Sequence, residues 1–268
     1  MSIRDLYLSR CKIVDGKPCP TFWIPSEVDY YPICLYSDLD RQADPLAVNL
    51  VKRLVALGLG LEIEVGNYVL AGLSKELPKA DPELVPLLKS NVSDEARHFK
   101  GFSMANATYG SSSKGLQPLI NDWTKATQLH HPVAVAGILE TGVFLISLGL
   151  LRIVGSPSLS RLAMAIAEDE FRHVLTNHAV SNGLGIWKST VKANQDLLDN
   201  TLEWLWGDGV EGVPNGLSLD SLKRYSRELL ADLNSPDFDN LTYYTYHNLP
   251  FELPNEYMYS ARELVKNG

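Results

Sequence analysis

Residues 94–98 and residues 169–173 contain the same pentad, Asp-Glu-x-Arg-His, written out as Asp94-Glu95-Ala96-Arg97-His98 and Asp169-Glu170-Phe171-Arg172-His173. Both copies lie in segments that the hydrophobic pattern predicts to be helical. On a helix, residues three apart lie on one face with their Cβ atoms about 5–6 Å apart. The Glu and the His of each pentad can therefore reach one metal ion together. Carboxylate oxygen with imidazole nitrogen suits iron or manganese.

The residues before each pentad place it on the apolar face of its helix. In the first segment the pentad is preceded at heptad-like spacing by Leu84, Leu88 and Asn91 and is followed by Phe102. In the second segment it is preceded in the same way by Leu159, Leu162 and Ile166. A single Glu-x-x-His would ordinarily be a surface pair. Two copies that both face inward are better explained by metal binding, because ionised groups stay buried only when they are paired or bound to a metal.

Helix start and stop signals divide the rest of the chain. Asp44-Pro45 and Asp81-Pro82 predict helix starts, Ser158 predicts an N-cap, and Pro78 and Asn182-Gly183 predict ends. No strand alternation competes with the helical pattern. The predicted helices span residues 44–77, 81–107, 116–129, 133–154, 158–181, 186–206, 217–233 and 261–266, with a loop at 236–254.

These helices predict an all-α fold in a single domain, residues 1–268. Residues 1–43 are rich in Pro, Asp and Tyr and form a non-helical N-terminal arm packed on the body. Residues 44–183 contain the metal-binding four-helix core, and residues 184–268 contain additional helices and loops.

A site with two metal ions needs one further carboxylate from each of the other two core helices. The helix over residues 133–154 contains a single acidic residue, Glu140, among apolar neighbours. A stretch of about 20 apolar residues is also long enough to span a membrane. We favour a core helix, because a carboxylate in the middle of a span is costly.

The first helix offers two candidate ligands, Glu62 and Glu64, which lie about 200° apart on a helical wheel. Glu62 is nearer the centre of the apolar stripe that includes Val55, Val65 and Val69. The spacing across the turn near Pro78 favours Glu64 instead. We choose Glu62 and keep Glu64 as the alternative.

Composition and charge limit the function classes. The chain has 268 residues with a formal net charge of −8 and no basic run, which argues against a nucleic-acid partner or an anionic membrane surface. Its three cysteines form no Cys-x-x-Cys pair and fit reduced thiols. The first residues have no signal-peptide pattern. We therefore predict a cytoplasmic protein with no membrane span.

A Glu, a Glu-x-x-His, a Glu and a second Glu-x-x-His on four helices resemble the ligand set of the ferritin-like di-iron carboxylate proteins. The Asp-Glu-x-x-His form resembles ribonucleotide reductase small subunits. The stretch 95–102, Glu-Ala-Arg-His-Phe-Lys-Gly-Phe, is similar to one in cyanobacterial aldehyde-deformylating oxygenases. The resemblance covers roughly residues 45–183. No Cys-x-x-Cys pair provides a rubredoxin-type site, and the long arm and C-terminal region exceed what a storage ferritin needs.

The resemblance implies a ferritin-like four-helix bundle that holds two iron ions, or one manganese and one iron. It implies metal ligation by six residues, Glu62 (or Glu64), Glu95, His98, Glu140, Glu170 and His173. It also implies that Asp94 and Asp169 accept hydrogen bonds from the ligand imidazoles, although acids at these positions could equally lie on the surface.

The function implied is that of a non-haem di-iron oxygenase or oxidase. Its partners would be dioxygen, a small and largely apolar organic substrate, and an electron donor such as a ferredoxin or a reductase; a homodimer is a further expectation. Gly137, Phe144 and Phe171 are the candidate lining of a substrate pocket, although small residues there could instead serve close helix packing. The alternatives are an iron-storage protein and a Mn/Fe radical-generating or self-modifying oxidase, for which Tyr68 is the nearest redox tyrosine.

Overall fold

The computed structural model describes residues 11–14, 17–20, 45–75, 84–207, 213 and 217–232. This part of the chain contains eight helices, as predicted for an all-α fold. They are α1 (Val48–Leu73), α2 (Leu84–Tyr109), α3 (Leu116–Leu129), α4 (Pro132–Val154), α5 (Pro157–Gly183), α6 (Trp187–Ala193), α7 (Gln195–Trp206) and α8 (Leu219–Asp232).

Four long helices surround the core. Helix α1 packs against α2 and α4, and α5 packs against the same two helices from the opposite side. The backbone N–H of Leu46, just before α1, donates to the carbonyl of Val154 at the end of α4 over 2.8 Å. Buried apolar side chains from all four helices form the core, and a group of buried polar and charged side chains lies among them. Both pentads and both single glutamates therefore lie on helices that face one core.

The shorter helices cover the outside of this arrangement. Helix α3 packs on α1, α4 and α7, and α8 packs on the middle of α4 and on α7. Two polar contacts fix α7 in place: Trp204 donates from Nε1 to the carbonyl of Lys114 over 2.9 Å, and Arg53 donates to the carbonyl of Trp204 over 2.9 Å. The C-terminal helices described thus contribute to the body of the protein.

Several predicted helix boundaries need correction. Helix α1 has Ala47 as its N-cap, three residues after the Asp44 that the sequence favoured, and Asp44 lies outside the described residues. Helix α5 is capped by Ser156 rather than Ser158, because the Ser156 side chain accepts from the N–H of Leu159 while Pro157 occupies the first helical turn. The helix predicted over residues 186–206 is interrupted at Asn194.

An antiparallel pair of short strands, β1 (Cys11–Val14) and β2 (Lys17–Pro20), precedes the helices. The sequence pattern was interpreted as containing no strand, and this hairpin shows that to be wrong. Asp15-Gly16 separates the two runs, and this dipeptide is a strong hairpin signal. The packing predicted for the arm, the loop at residues 236–254 and the helix at residues 261–266 lie outside the described residues.

Helix α4 was predicted as a regular α-helix but contains a π-helical segment at Glu140–Phe144. The N–H of Leu145 donates to the carbonyl of Glu140, five residues earlier. Such segments occur frequently at functional sites. By length and composition α1 and α4 could each cross a membrane, but 94% of the most apolar window of α4 is buried inside the protein, against 61% for α1. Core packing thus accounts for the composition of α4.

Candidate metal centre

The four core helices bring six ionisable side chains together. Glu62 comes from α1, Glu95 and His98 from α2, Glu140 from the first position of the π segment, and Glu170 and His173 from α5. All six are at most 1% exposed. Their ligand atoms form two groups in which every atom lies within 4.8 Å of the others, and these groups can each hold a metal ion.

The two groups share Glu95 and Glu170. Glu95 places Oε2 3.4 Å from Nδ1 of His98 and Oε1 3.0 Å from Nδ1 of His173. Glu170 does the same in reverse, with Oε1 3.0 Å from His98 and Oε2 3.6 Å from His173. Each carboxylate thus directs one oxygen toward each imidazole. Each of these carboxylates thus belongs to both groups of candidate metal ligands.

Each remaining glutamate belongs to one group only. Glu62 places Oε2 3.3 Å from Nδ1 of His98. Glu140 places Oε1 4.0 Å from Nδ1 of His173. The alternative residue Glu64 is only half buried and belongs to neither group among the described residues. The structure therefore places Glu62, not Glu64, beside the other five side chains.

The two aspartates contact the imidazoles on the side away from the glutamates. Asp94 places Oδ2 3.2 Å from Nε2 of His173, and Asp169 places Oδ2 3.3 Å from Nε2 of His98. The pentads are therefore crossed, with the acid of one beside the histidine of the other. In a neutral imidazole a proton held at Nε2 leaves the lone pair of Nδ1 directed at the glutamates.

Two arginines complete this network, and the sequence analysis gave them no role. Arg172 is buried and donates to Asp94 over 2.9 Å and also to Asp169. Arg97, at the edge of the core, donates to the same two carboxylates. Because each arginine contacts one acid from its own helix and one from the partner helix, the two pairs link α2 to α5 beside the glutamates.

Burial and neighbouring charges act on the six side chains in opposite directions. Burial raises the pKa of Glu62 and of Glu140 well above the usual range of a carboxyl group, and the nearby histidines only partly offset it. Burial also acts to raise the pKa of Glu95, but His173 and His98 outweigh it and lower that pKa. The pKa of His173 is raised despite its burial, because Glu95, Asp94 and Glu170 surround it.

The hydrogen bonds within the cluster leave specific atoms unsatisfied. The buried atoms with no hydrogen-bond partner include both carboxylate oxygens of Glu95 and of Glu170, one oxygen each of Glu62 and Glu140, and Nδ1 of His173. Buried carboxylates without donors are costly unless a cation compensates them. Oxygen and imidazole donors in this arrangement fit hard or borderline divalent ions such as Fe²⁺ and Mn²⁺. The residues present therefore fit a metal centre.

Gly137 was a candidate for the substrate pocket, with close helix packing as the alternative, and its surroundings favour packing. A Cβ added there would lie 2.8 Å from the Cβ of Asn177 and 3.2 Å from the ring of Trp187, so this glycine allows close packing of α4 and does not open a space. Phe144 is buried in the core. The side chain of Phe171 lies outside the described atoms. Tyr68, the candidate redox tyrosine, shares a hydrogen bond with Thr124 on α3 over 3.0 Å.

Asn177 is a site residue that the sequence analysis missed. It lies one turn after His173 on α5, and its Nδ2 donates to Oε2 of Glu140 over 2.6 Å. The signal was present in the sequence, because Ile166, Glu170, His173 and Asn177 continue one inward stripe at spacings of four, three and four.

Compared with family models, curated proteins and solved structures, the chain has no match. The functional assignment therefore depends on the geometry of the centre and on the chemistry of its side chains.

Proposed function

We propose that this protein is a ferritin-like, non-haem di-iron oxidoreductase that uses dioxygen to oxidise a small, largely apolar organic molecule. The observation that supports it most is the sharing of Glu95 and Glu170 between two groups of ligand atoms. A site for a single ion has no use for two carboxylates that each face two imidazoles. Two four-residue groups with two shared members describe six ligands for a pair of ions, the number expected of di-iron carboxylate bundles.

In the proposed centre each ion has its own set of protein ligands. Glu62 and His98 would hold one ion and Glu140 and His173 the other, and Glu95 and Glu170 would be shared between the two. A pair of ferrous ions supplies the electrons and the oxygen-activating chemistry that protein side chains lack. Repeated turnover would require an external electron donor, such as a ferredoxin or a reductase.

The protein's own residues perform three tasks in this proposal. The buried core helices keep water away from the ions, since all six ligands are almost fully shielded from solvent. Asp94 and Asp169 hold the protons of the imidazoles at Nε2 and so present Nδ1 for ligation. Arg97 and Arg172 donate to both aspartates and so compensate their charge in the interior. Burial acts to raise the pKa of Asp169, but His98 and both arginines outweigh burial and lower that pKa.

The test begins with metal content. Anaerobic titration of the purified chain with Fe²⁺ should show two ions per chain, and Glu140→Ala should bind only one, because Glu140 is the only acidic side chain on α4. The loaded protein should then consume dioxygen repeatedly when it is supplied with a reductant and an apolar substrate. A single tightly bound ion in the native chain, or no binding after anaerobic loading, contradicts the proposal. Uptake of dioxygen once per iron pair, with no organic product from any substrate class, favours iron storage instead.

A further inference from the structure

Glu140 is held by a side-chain amide, and Glu62 has no such amide partner in the part of the chain that the structure describes. Nδ2 of Asn177 donates to Oε2 of Glu140 over 2.6 Å, and both side chains are completely buried. The other oxygen, Oε1, has no hydrogen-bond donor and lies on the side of His173. The two oxygens of this carboxylate therefore have different roles: one is bound to the protein and one is available to a metal ion.

The position of Asn177 is fixed by the packing of α4 against α5. Gly137 lies three residues before Glu140. Because Gly137 has no side chain, Asn177 packs directly against α4; an alanine Cβ at position 137 would lie 2.8 Å from the Cβ of Asn177. Trp187 packs against the same glycine from α6. One turn further along α5, Ser181 donates to the carbonyl of Asn177 over 2.7 Å. The amide therefore has little freedom to move away from Glu140.

Glu62, the corresponding ligand of the other group, has a different environment. Its Oε2 contacts Nδ1 of His98, which is itself a proposed metal ligand, and its Oε1 has no hydrogen-bond donor. Within the described part of the chain no amide or hydroxyl group holds either oxygen of Glu62. Ligation of an ion by His98 leaves both oxygens of Glu62 free to bind that ion.

We propose that Asn177 is a positioning residue that restricts Glu140 to ligation through Oε1 alone, so that the two metal positions are chemically inequivalent. This inference rests on the proposed di-iron function. The ion beside His173 has a terminal carboxylate that binds through one oxygen and keeps its place. The ion beside His98 has a terminal carboxylate, Glu62, that can bind through one or two oxygens. Changes in carboxylate coordination are thereby confined to the Glu62 side of the pair.

The test compares wild type with Asn177→Leu, which removes the amide donor at similar side-chain volume, and with Asn177→Ala, which serves if the leucine variant does not fold. Anaerobic Fe²⁺ titration should show one ion bound with unchanged affinity and the other weakened by roughly 10–100-fold, the usual cost of losing a hydrogen bond to a metal ligand. Crystals soaked in Mn²⁺ should show Glu140 bound through one oxygen in wild type. In the variants it should bind through both oxygens or turn away, with reduced occupancy only at the His173 position.

Asn194→Ala is the matched control, because Asn194 is also a buried asparagine but donates to the carbonyl of Thr190, outside the cluster. It should bind both ions as wild type does. If wild type binds two ions and both Asn177 variants bind them with wild-type affinity and unchanged Glu140 coordination, the role of Asn177 is wrong while the di-iron proposal stands. If wild type does not bind two ions, the di-iron proposal itself fails, and this inference with it.

Discussion

Asp94 places its Oδ2 3.2 Å from Nε2 of His173, so the acid of the first pentad contacts the histidine of the second. The reciprocal contact joins Asp169 to His98 over 3.3 Å. The repeated pentad therefore does more than bring two candidate metal ligands from each helix. Each copy also orients the imidazole of the other copy, and α2 and α5 must pack together before either histidine is held correctly.

The crossed contacts predict which metal position each aspartate supports. Asp94→Asn removes the charge that holds the Nε2 proton of His173, and we expect the affinity of the ion beside His173 to fall by roughly 10–100-fold. Asp169→Asn should weaken the ion beside His98 instead. Anaerobic Fe²⁺ titration of each variant measures the two affinities. Mn²⁺ occupancy in crystals shows which of the two metal positions is weakened.

Asp122→Asn provides the control, because Asp122 is an exposed aspartate that pairs with Lys125 on α3. It should bind both ions as wild type does. If Asp94→Asn weakens the ion beside His98, the aspartate acts on its own helix and the crossed assignment is wrong.

The sequence was sufficient to predict most of the helices and the side chains that gather in the core, because both depend on local spacing. A Glu and a His three residues apart on an apolar stripe must face the core together, whichever helices surround them. The crossed pairing of Asp94 with His173 could not be predicted, because it depends on the relative positions of α2 and α5. The inward position of Asn177 could be predicted from its stripe, but its hydrogen bond to Glu140 could not, because that bond depends on the close approach of two helices at Gly137.

Local chemistry was also misjudged in places. Ser156 and Ser158 both suit an N-cap, and only the position of Pro157 in the first turn selects Ser156. The π segment at Glu140–Phe144 has no clear signal in a run of apolar residues. The extra residue in this turn rotates the side chains that follow it on α4. A regular helical wheel therefore places those side chains in the wrong direction.

The two arginines of the network should differ in their contribution to stability. Arg172 is buried between Asp94 and Asp169, so Arg172→Met leaves two buried acids with reduced compensation, and we expect a loss of about 3–5 kcal/mol in the free energy of unfolding. The side chain of Arg97 is 18% exposed, and water can replace part of its contact. Arg97→Met should therefore cost less. Urea unfolding of the metal-free proteins at pH 7 measures both, and equal losses would contradict this account.

His178 should make the stability depend on pH below neutrality. It lies buried in α5 with its ring edge against Trp187, and burial lowers its pKa from 6.5 to about 4. Because the folded-state pKa lies below the unfolded one, the unfolded chain binds more protons between these values. Stability therefore falls as the pH falls from about 6.5 to about 4, by up to about 1.4 kcal/mol per pH unit.

The matching variant is His178→Gln, which is polar and of similar size but does not titrate. Between pH 7 and pH 5 its metal-free form should lose about 2 kcal/mol less stability than wild type, because the contribution of one histidine has been removed. Urea unfolding with a chelator present, at both pH values, gives the difference. Parallel losses in the two proteins would show that His178 is not the group responsible.

The last prediction separates the two glutamates of α1. Glu62→Ala should lose one of the two ions, while Glu64→Ala should keep both, because Glu62 is fully buried 3.3 Å from His98 and Glu64 is half buried outside the cluster. The glycines around Glu62 explain this placement. Gly58 and Gly66 lie one turn before and after it, and Cβ atoms added there would lie 2.4 Å from the ring of Phe102 and 3.4 Å from Cβ of Glu95. They bring α1 close to α2, and this places the Glu62 carboxylate in one group with Glu95, His98 and Glu170. Metal analysis after anaerobic loading measures the outcome. If Glu64→Ala loses an ion and Glu62→Ala does not, Glu64 is the ligand. If both variants keep two ions, α1 provides no ligand to the centre.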